Sequence, residues 1–333
     1  MNRTAVPPPV TLVLEAAGAW LPARLEAVEE RLGGLVEGHG EALAADAGAT
    51  LAAGGKRLRP MLVLLSAGPR GGEAAIRGAT AIELVHMATL VHDDVLDAAP
   101  LRRGHPTVVA RSGRHRALAV GDLLFSRAFA ELGRDGSRRQ VELLSRASVA
   151  LALGELAQRR DAFDGAIPAE RYLERCELKT GRLFECACVI GRLDDSVPPA
   201  VGRGDPLAAL EVFGREIGLA FQLLDDLLDV TGPPERTGKA RGTDLLDGTV
   251  TLPLILAREC DQRLAELDLR GLDAEGVEVV CDRIAATGVL DQVRAGARRR
   301  VELAKRALER SALDPDQRRL LELVADGVVE RYS

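Results

Sequence analysis

Two short acidic clusters, each closing an apolar stretch with helical spacing, constrain this chain more than any other feature. The first is Asp93-Asp94-Val95-Leu96-Asp97, preceded by His86-Met87-Ala88-Thr89-Leu90-Val91-His92 and followed by Arg102-Arg103-Gly104. The second is Asp225-Asp226-Leu227-Leu228-Asp229, preceded by Gln222-Leu223-Leu224 and followed by Arg236 and Lys239. Carboxylates are costly beside so much hydrophobic sequence unless a counter-charge sits with them. One such cluster is common on a charged helix face; two, each ending an apolar run, call for a cationic partner. On a helix Asp93 and Asp97 share a face, whereas Asp94 points about 100° away. Hard oxygen donors in this number suit Mg²⁺, which keeps several waters and completes its shell with substrate phosphates.

The rest of the chain reads as helix. Aliphatic periodicity predicts helices over 11–36 (broken at Gly33-Gly34), 41–53, 61–67, 73–98, 115–132, 138–162, 169–190 and 207–230, with four more between 251 and 331. No stretch of two-residue alternation is bounded by hairpin turns, so the expected fold is all-α, a bundle of ten or more helices. No long linker interrupts it. One domain spanning residues 1–333 is expected, with the proline-rich residues 1–10 flexible. Only one Trp, two Tyr and six Phe are present, so the core must be built from Leu, Val and Ala, which leaves room for an elongated cavity.

Composition narrows the function classes. A net charge of −6 gives no electrostatic footprint for nucleic acid. Five cysteines in an odd number, with no C-x-x-C pair, read as free thiols of a reducing compartment. The N-terminal residues lack the apolar core of a signal peptide and no uninterrupted apolar run approaches membrane-spanning length, so a cytoplasmic location is expected.

Basic residues complete the pattern. In Gly54-Gly55-Lys56-Arg57-Leu58-Arg59-Pro60 two glycines allow close backbone approach and Lys56 and Arg59 provide cationic arms. The Gly-, Pro- and Thr-rich residues 231–249 follow the second acidic cluster directly, where a lid or phosphate clamp would sit. Two carboxylate clusters with scattered Lys and Arg imply a polyanion bridged by metal, for which a diphosphate is the best fit. The apolar runs leading into each cluster imply that the other end of that ligand is a hydrocarbon.

At this level the sequence resembles the trans-isoprenyl diphosphate synthases, or polyprenyl synthetases. The matching pieces are Gly54 to Pro60, the Asp93 cluster with Arg102-Arg103-Gly104, Gly121-Asp122, Lys179-Thr180, Phe221-Gln222 with the Asp225 cluster, and Gly238-Lys239 with Gly242-Thr243-Asp244. They follow the family's order over roughly residues 50–255. The resemblance implies an isoprenoid-synthase-type bundle around a central elongated cavity, assembled as a homodimer. The implied reaction is head-to-tail condensation of an allylic diphosphate with isopentenyl diphosphate. Three Mg²⁺ per site are implied, held by Asp93 and Asp97 on one side and Asp225 on the other, with Asp94, Asp226 and Asp229 as supporting ligands. Arg102, Lys179 and Lys239 would hold the allylic diphosphate; Lys56, Arg59, His86 and Arg103 would hold isopentenyl diphosphate. Thr180 and Gln222 would line the place where the allylic cation develops. One departure stands out: the family pattern often has a lysine where this chain has Thr249.

Product length is expected from the residues preceding Asp93. The resemblance implies that a bulky aromatic at the Ala88 or Thr89 level marks short products such as farnesyl. Thr89, Ala88 and Val85 are taken to face the cavity and none is aromatic, so the implied product is all-trans and longer than farnesyl, with geranylgeranyl as the rival. A terpene cyclase would need neither the Gly54 to Pro60 stretch nor a second full cluster. A non-catalytic subunit of a heteromeric synthase could lose its aspartates, and this chain keeps all six. A calcium-binding scaffold would need a loop with Gly at its sharp turn. No anchor is visible, and membrane contact is expected to be transient, during product release.

Overall fold

The computed structural model describes residues 8–37, 40–52, 54–134, 138–193, 204–232 and 241–330. Helices in chain order are α1 (Pro8–Ala17), α2 (Trp20–Val36), α3 (Glu41–Ala52), α4 (Leu58–Ala67), α5 (Glu73–Leu96), α6 (Val108–Ser112), α7 (Arg114–Gly133), α8 (Arg138–Arg160), α9 (Ala169–Cys176), α10 (Arg182–Ile190) and α11 (Pro206–Thr231). They continue as α12 (Thr243–Leu246), α13 (Leu252–Cys260), α14 (Gln262–Ala265), α15 (Ala274–Ala286), α16 (Val289–Glu309) and α17 (Pro315–Glu330). The all-α expectation holds. A two-residue hairpin, Leu101–Arg102 against His105–Pro106, is the one strand pair among the described residues. It escapes sequence reading because its turn is Arg103-Gly104, both with positive φ, in a segment with no alternation.

Two expectations at the N-terminus are corrected. The chain does not stay irregular through residue 10, since α1 starts at Pro8, where a fixed φ and missing N–H cost a helix nothing. Nor do Gly33-Gly34 break a helix: both lie inside α2, and the break falls at Gly18, whose φ of +72° suits glycine.

Helices α5 and α11 organise the bundle. α5 buries Ile82, Leu84, Val85, Ala88 and Val91 almost completely because it packs against neighbours on several sides, α2, α4, α7 and α10 among them. With 24 residues it is long and apolar enough by length and mean hydropathy to cross a membrane, although Arg77 and Glu83 interrupt its apolar run, and two thirds of its apolar window (67%) is buried within the protein. That is the signature of a core helix, hydrophobic all round because it is enclosed all round. Truncating a fully buried side chain there, such as Leu84→Ala, would cost about 2–5 kcal/mol.

α11 lies against α10 and α16. Its approach to α10 depends on Gly214 and Gly218: a Cβ at 214 would lie 2.7 Å from the Glu185 Cα, and one at 218 would lie 2.9 Å from the Gly181 Cα. Between α9 and α10 the helix widens into a single π turn, Glu177–Gly181. Such turns recur at functional sites. Gly154 of α8 sits against it so closely that a Cβ would come within 2.6 Å of the Lys179 nitrogen. Three glycines thus bring α8, the π turn and α11 to one level.

Candidate active site

A cavity of about 1820 Å³ lies between these helices, with Asp93, Asp94 and Asp97 on one wall and Asp225 on another. Lys56, Arg59, His86, Arg102, Arg103, Lys179, Thr180 and Gln222 also line it, so the structure brings together nearly every residue singled out from sequence. Lys239 lies outside the described residues. Asp226 and Asp229 are only 3% exposed and do not line the main cavity.

The first cluster ends its helix. Asp97 caps α5, Ala98 turns into the left-handed region at φ +49°, and the Ala99 nitrogen bonds the Asp94 carbonyl, closing a Schellman turn. Acidic side chains at a helix C-terminus oppose its dipole, so their placement reflects a use other than stability. Arginines compensate: Arg102 Nε donates to Asp94 Oδ1 at 2.8 Å and Arg159 Nη2 to Asp97 Oδ1 at 2.5 Å. Burial, with the charges of Glu155 and Asp97, holds the Asp93 carboxyl above its ordinary range, against the pull of Lys179. A carboxylate kept costly in this way is poised to take a cation.

The second cluster is interior. Asp225 is exposed to the cavity, while Asp226 is enclosed and accepts from Tyr172 Oη at 2.5 Å and from Gln222 Nε2 at 2.7 Å. Burial lifts the Asp226 carboxyl to about 6, even though both donors favour its charge. An ionised carboxylate only accepts, so the Gln222 amide must turn its NH₂ toward Asp226 and its oxygen toward Thr180. The Thr180 hydroxyl donates to that oxygen at 2.7 Å. Its proton being committed there, the Thr180 oxygen presents lone pairs to the cavity. Asp229 accepts from the Asp244 nitrogen at 3.2 Å and ties α11 to α12.

Lys179 projects from the π turn. Its Nζ bonds Glu155 Oε2 at 2.5 Å and reaches Gln158 Oε1 at 3.3 Å. Burial works against its charge, but Asp93 and Glu155 outweigh it and raise its pKa. Glu155 also takes Arg159 at 2.8 Å, so an alternating chain of charge runs Asp93, Lys179, Glu155, Arg159, Asp97.

A second basic group gathers at the start of α4. Arg59 packs over the Phe184 ring at 4.5 Å and burial lowers it to about 10, partly offset by Glu83. Arg103 donates to the Gly54 carbonyl. Burial and then Arg59, Arg103, Arg102 and Arg57 push His86 well below its ordinary range, so it enters the cavity as a neutral imidazole at neutral pH. Arg57, with a φ of +45°, also lines the cavity but is committed to Glu29 and, at 2.8 Å, to the buried Glu83. It braces the loop.

One sequence expectation is corrected here. Ala88 and Val85 are fully buried and do not line the cavity; Thr89 does, together with Leu90 and Phe125. The reason is angular: five residues before Asp93, Ala88 sits about 140° around the helix, while Thr89 sits about 40° away. Sequence reasoning also missed Glu155, Arg159, Gln158 and Tyr172. The i,i+4 spacing of Glu155 and Arg159 was a legible signal; for Tyr172 only its rarity was, as one of two tyrosines.

Among the described residues, no three carboxylate, histidine or cysteine side chains form a ready-made metal centre. The donors are carboxylates on two walls of one cavity, which suits a hard cation that takes one or two protein oxygens and finishes its shell with water and phosphate. Fold and site thus define an all-helical protein with carboxylates and basic side chains gathered at one cavity that is otherwise largely apolar. The polyprenyl synthetase family model matches residues 41–280. Heptaprenyl diphosphate synthase component 2 from Geobacillus stearothermophilus is 38% identical over 80% of this chain and 82% of its own. The octaprenyl diphosphate synthase of Escherichia coli is 36% identical over 77% and 80%. The crystal structure of a polyprenyl synthase from Caulobacter crescentus, complexed with calcium and isoprenyl diphosphate, superposes with a TM-score of 0.88 at 33% identity, covering 97% of this chain and 98% of that one. The chain belongs to the polyprenyl synthetase family and is a prenyltransferase, a trans-polyprenyl diphosphate synthase.

Proposed function

We propose that this enzyme condenses an allylic diphosphate with isopentenyl diphosphate, using Mg²⁺, to make an all-trans polyprenyl diphosphate longer than farnesyl. The observation that carries the reading is the pair of carboxylate walls, Asp93 with Asp97 and Asp225, flanking one cavity that also holds two separate basic groups. Lys179 and Arg102 take the allylic diphosphate, and Lys56, Arg59, Arg103 and neutral His86 take isopentenyl diphosphate. Bound at Asp93, Asp97 and Asp225, magnesium supplies the positive charge that makes diphosphate a leaving group. As the C–O bond breaks, the lone pairs of Thr180 face the allylic cation that develops. Leu90, Phe125 and Leu151 keep water from that cation. The isopentenyl double bond then attacks, and the proton it loses passes to the released diphosphate.

Thr89, one helical turn before Asp93, lines the cavity and is small enough to leave the tail room. Incubation with farnesyl and isopentenyl diphosphates, followed by sizing of the products, tests the length: chains beyond geranylgeranyl support the reading, and an end product at farnesyl overturns it. A geranylgeranyl end product identifies the rival. Thr89→Phe should shorten the product by one or more isoprene units, whereas Ala88→Phe should cost stability instead.

Assembly follows from an exposed apolar stripe. Val149, Leu153 and Leu156 on α8, 51–67% exposed, continue to Leu118 on α7. A second copy of the chain covering this stripe gives the homodimer, in the cytoplasm, with membrane contact limited to product release. The Geobacillus relative is named as one component of a synthase, so a different partner is the alternative. Turnover by the lone polypeptide, together with a mass in solution that halves in Leu153→Glu, supports the homodimer.

A further inference from the structure

A smaller chamber of about 160 Å³ lies behind Lys179, and Thr249 is on its wall. Arg175 of α9 lines it too, only 3% exposed. Its Nη2 donates to the carbonyl of Val250, the residue after Thr249, at 2.6 Å, and its guanidinium lies 5.5 Å from the Tyr172 ring centroid. Its Nη1 has no hydrogen-bond partner among the described residues. The nearest acid, Asp161, stands 3.9 Å away and is already held by two nitrogens of Arg171. A buried guanidinium that keeps a donor unused is expensive; several arginines here carry such a nitrogen, and Arg175 is the one that lines this chamber.

We infer that Arg175 is a diphosphate-binding residue of this enzyme, standing in for the lysine that the family pattern has at 249. The inference rests on the proposed seating of the allylic diphosphate against Lys179. Lys179, Asp97, Asp244 and Asp247 also line the chamber, so it opens from the same polar end of the main cavity. The carboxylates there address a metal, and Lys179 and Arg175 are the cationic side chains among the chamber's described lining residues. A lysine at 249 would enter the chamber from the loop; Arg175 enters from α9 and is fixed to the same loop through the Val250 carbonyl. A phosphate oxygen in the chamber gives Nη1 its missing acceptor as a charge-assisted hydrogen bond.

The test is steady-state kinetics with farnesyl diphosphate, isopentenyl diphosphate and Mg²⁺, with thermal melting of every variant. Arg175→Met should raise KM for the allylic diphosphate about tenfold to a hundredfold, the effect of one charge-assisted bond, and leave KM for isopentenyl diphosphate unchanged. Adding Thr249→Lys to it should return the allylic KM to within about threefold of wild type, a rescue that repaired packing could not produce. Parallel rises in both KM values, or no rescue, overturn the inference. Thr249→Lys alone gives an arm free of folding risk. It should tighten allylic binding by less than about threefold if Arg175 already serves the site, and a gain of about tenfold or more means that the charge was missing. Absence of turnover in the wild type would instead overturn the proposed function, so the two failures are distinguishable.

Discussion

The two aspartate clusters share one spacing and live in different worlds. Asp93, Asp94 and Asp97 close α5 where the chain leaves for a hairpin, and all three reach the cavity, steadied by Arg102 and Arg159. Asp225, Asp226 and Asp229 lie before the end of α11, which runs on to Thr231 against α16. Only Asp225 reaches the main cavity; Asp226 and Asp229 are spent on Tyr172, Gln222 and the Asp244 backbone. The same motif thus makes an open set of ligands in one helix and, in the other, one ligand mounted on a hydrogen-bonded base. The difference lies in where each helix ends, not in the motif.

If that contrast is right, activity and stability separate differently in the two clusters. Asp93→Asn and Asp225→Asn should each lower kcat about a thousandfold, since each removes an oxygen from a charged metal–diphosphate assembly. Neither should lower Tm, because burial already holds the Asp93 carboxyl above its ordinary range and Asp225 faces open space. Chelating divalent metal with EDTA should abolish turnover of the wild type to the same extent. A large fall in Tm for Asp93→Asn would break the comparison.

Asp226→Asn should do the opposite. An amide cannot accept from both Tyr172 and Gln222 without presenting its own N–H to one of them, so a buried donor loses its partner. That costs about 2–3 kcal/mol of stability, read by chemical denaturation. Tyr172→Phe is the milder form, removing one donor while the ring stays packed. It should cost about 1 kcal/mol and lower kcat about tenfold at unchanged KM for isopentenyl diphosphate, because Gln222 and then Thr180 lose their fixed orientation. An unchanged kcat would show that the Thr180 hydroxyl is held by something other than this chain of bonds.

Much of this was legible in the sequence. Helix periodicity placed α3, α5, α7, α8 and α11 to within two residues at each end, because their apolar faces are wide and most of their ends are marked by Gly and Pro, and started α4 three residues late. The site residues were legible because charge beside apolar sequence is rare and each charge needs a reason. What could not be read was direction. The sequence does not say that Asp226 points inward, that Arg57 is taken up by Glu29 and Glu83, or that Ala88 packs into the core; these follow from which helix lies alongside. Nor could it show Arg175, which looks like any helix-surface arginine until α9 is seen buried against the Val250 loop.

The smallest effect tests the steadying arginines of the first cluster. Arg159 bonds both Asp97 and Glu155, and it is about 39% exposed, so the pair is a weak, water-screened one. A cation binding Asp97 must first displace it. Arg159→Met removes that competitor and leaves Asp97 without its ion-pair partner, while Glu155 keeps Lys179; the change favours a divalent ion at Asp97. Breaking an exposed pair is worth about 0.5–1 kcal/mol, so the Mg²⁺ concentration at half-maximal rate should fall about threefold while kcat changes little. The second cluster offers no equivalent variant, because Asp226 is held by neutral donors that a metal does not displace. A Mg²⁺ requirement that rises in Arg159→Met would mean that Arg159 positions Asp97 for the ion, and the first cluster would then be as preorganised as the second.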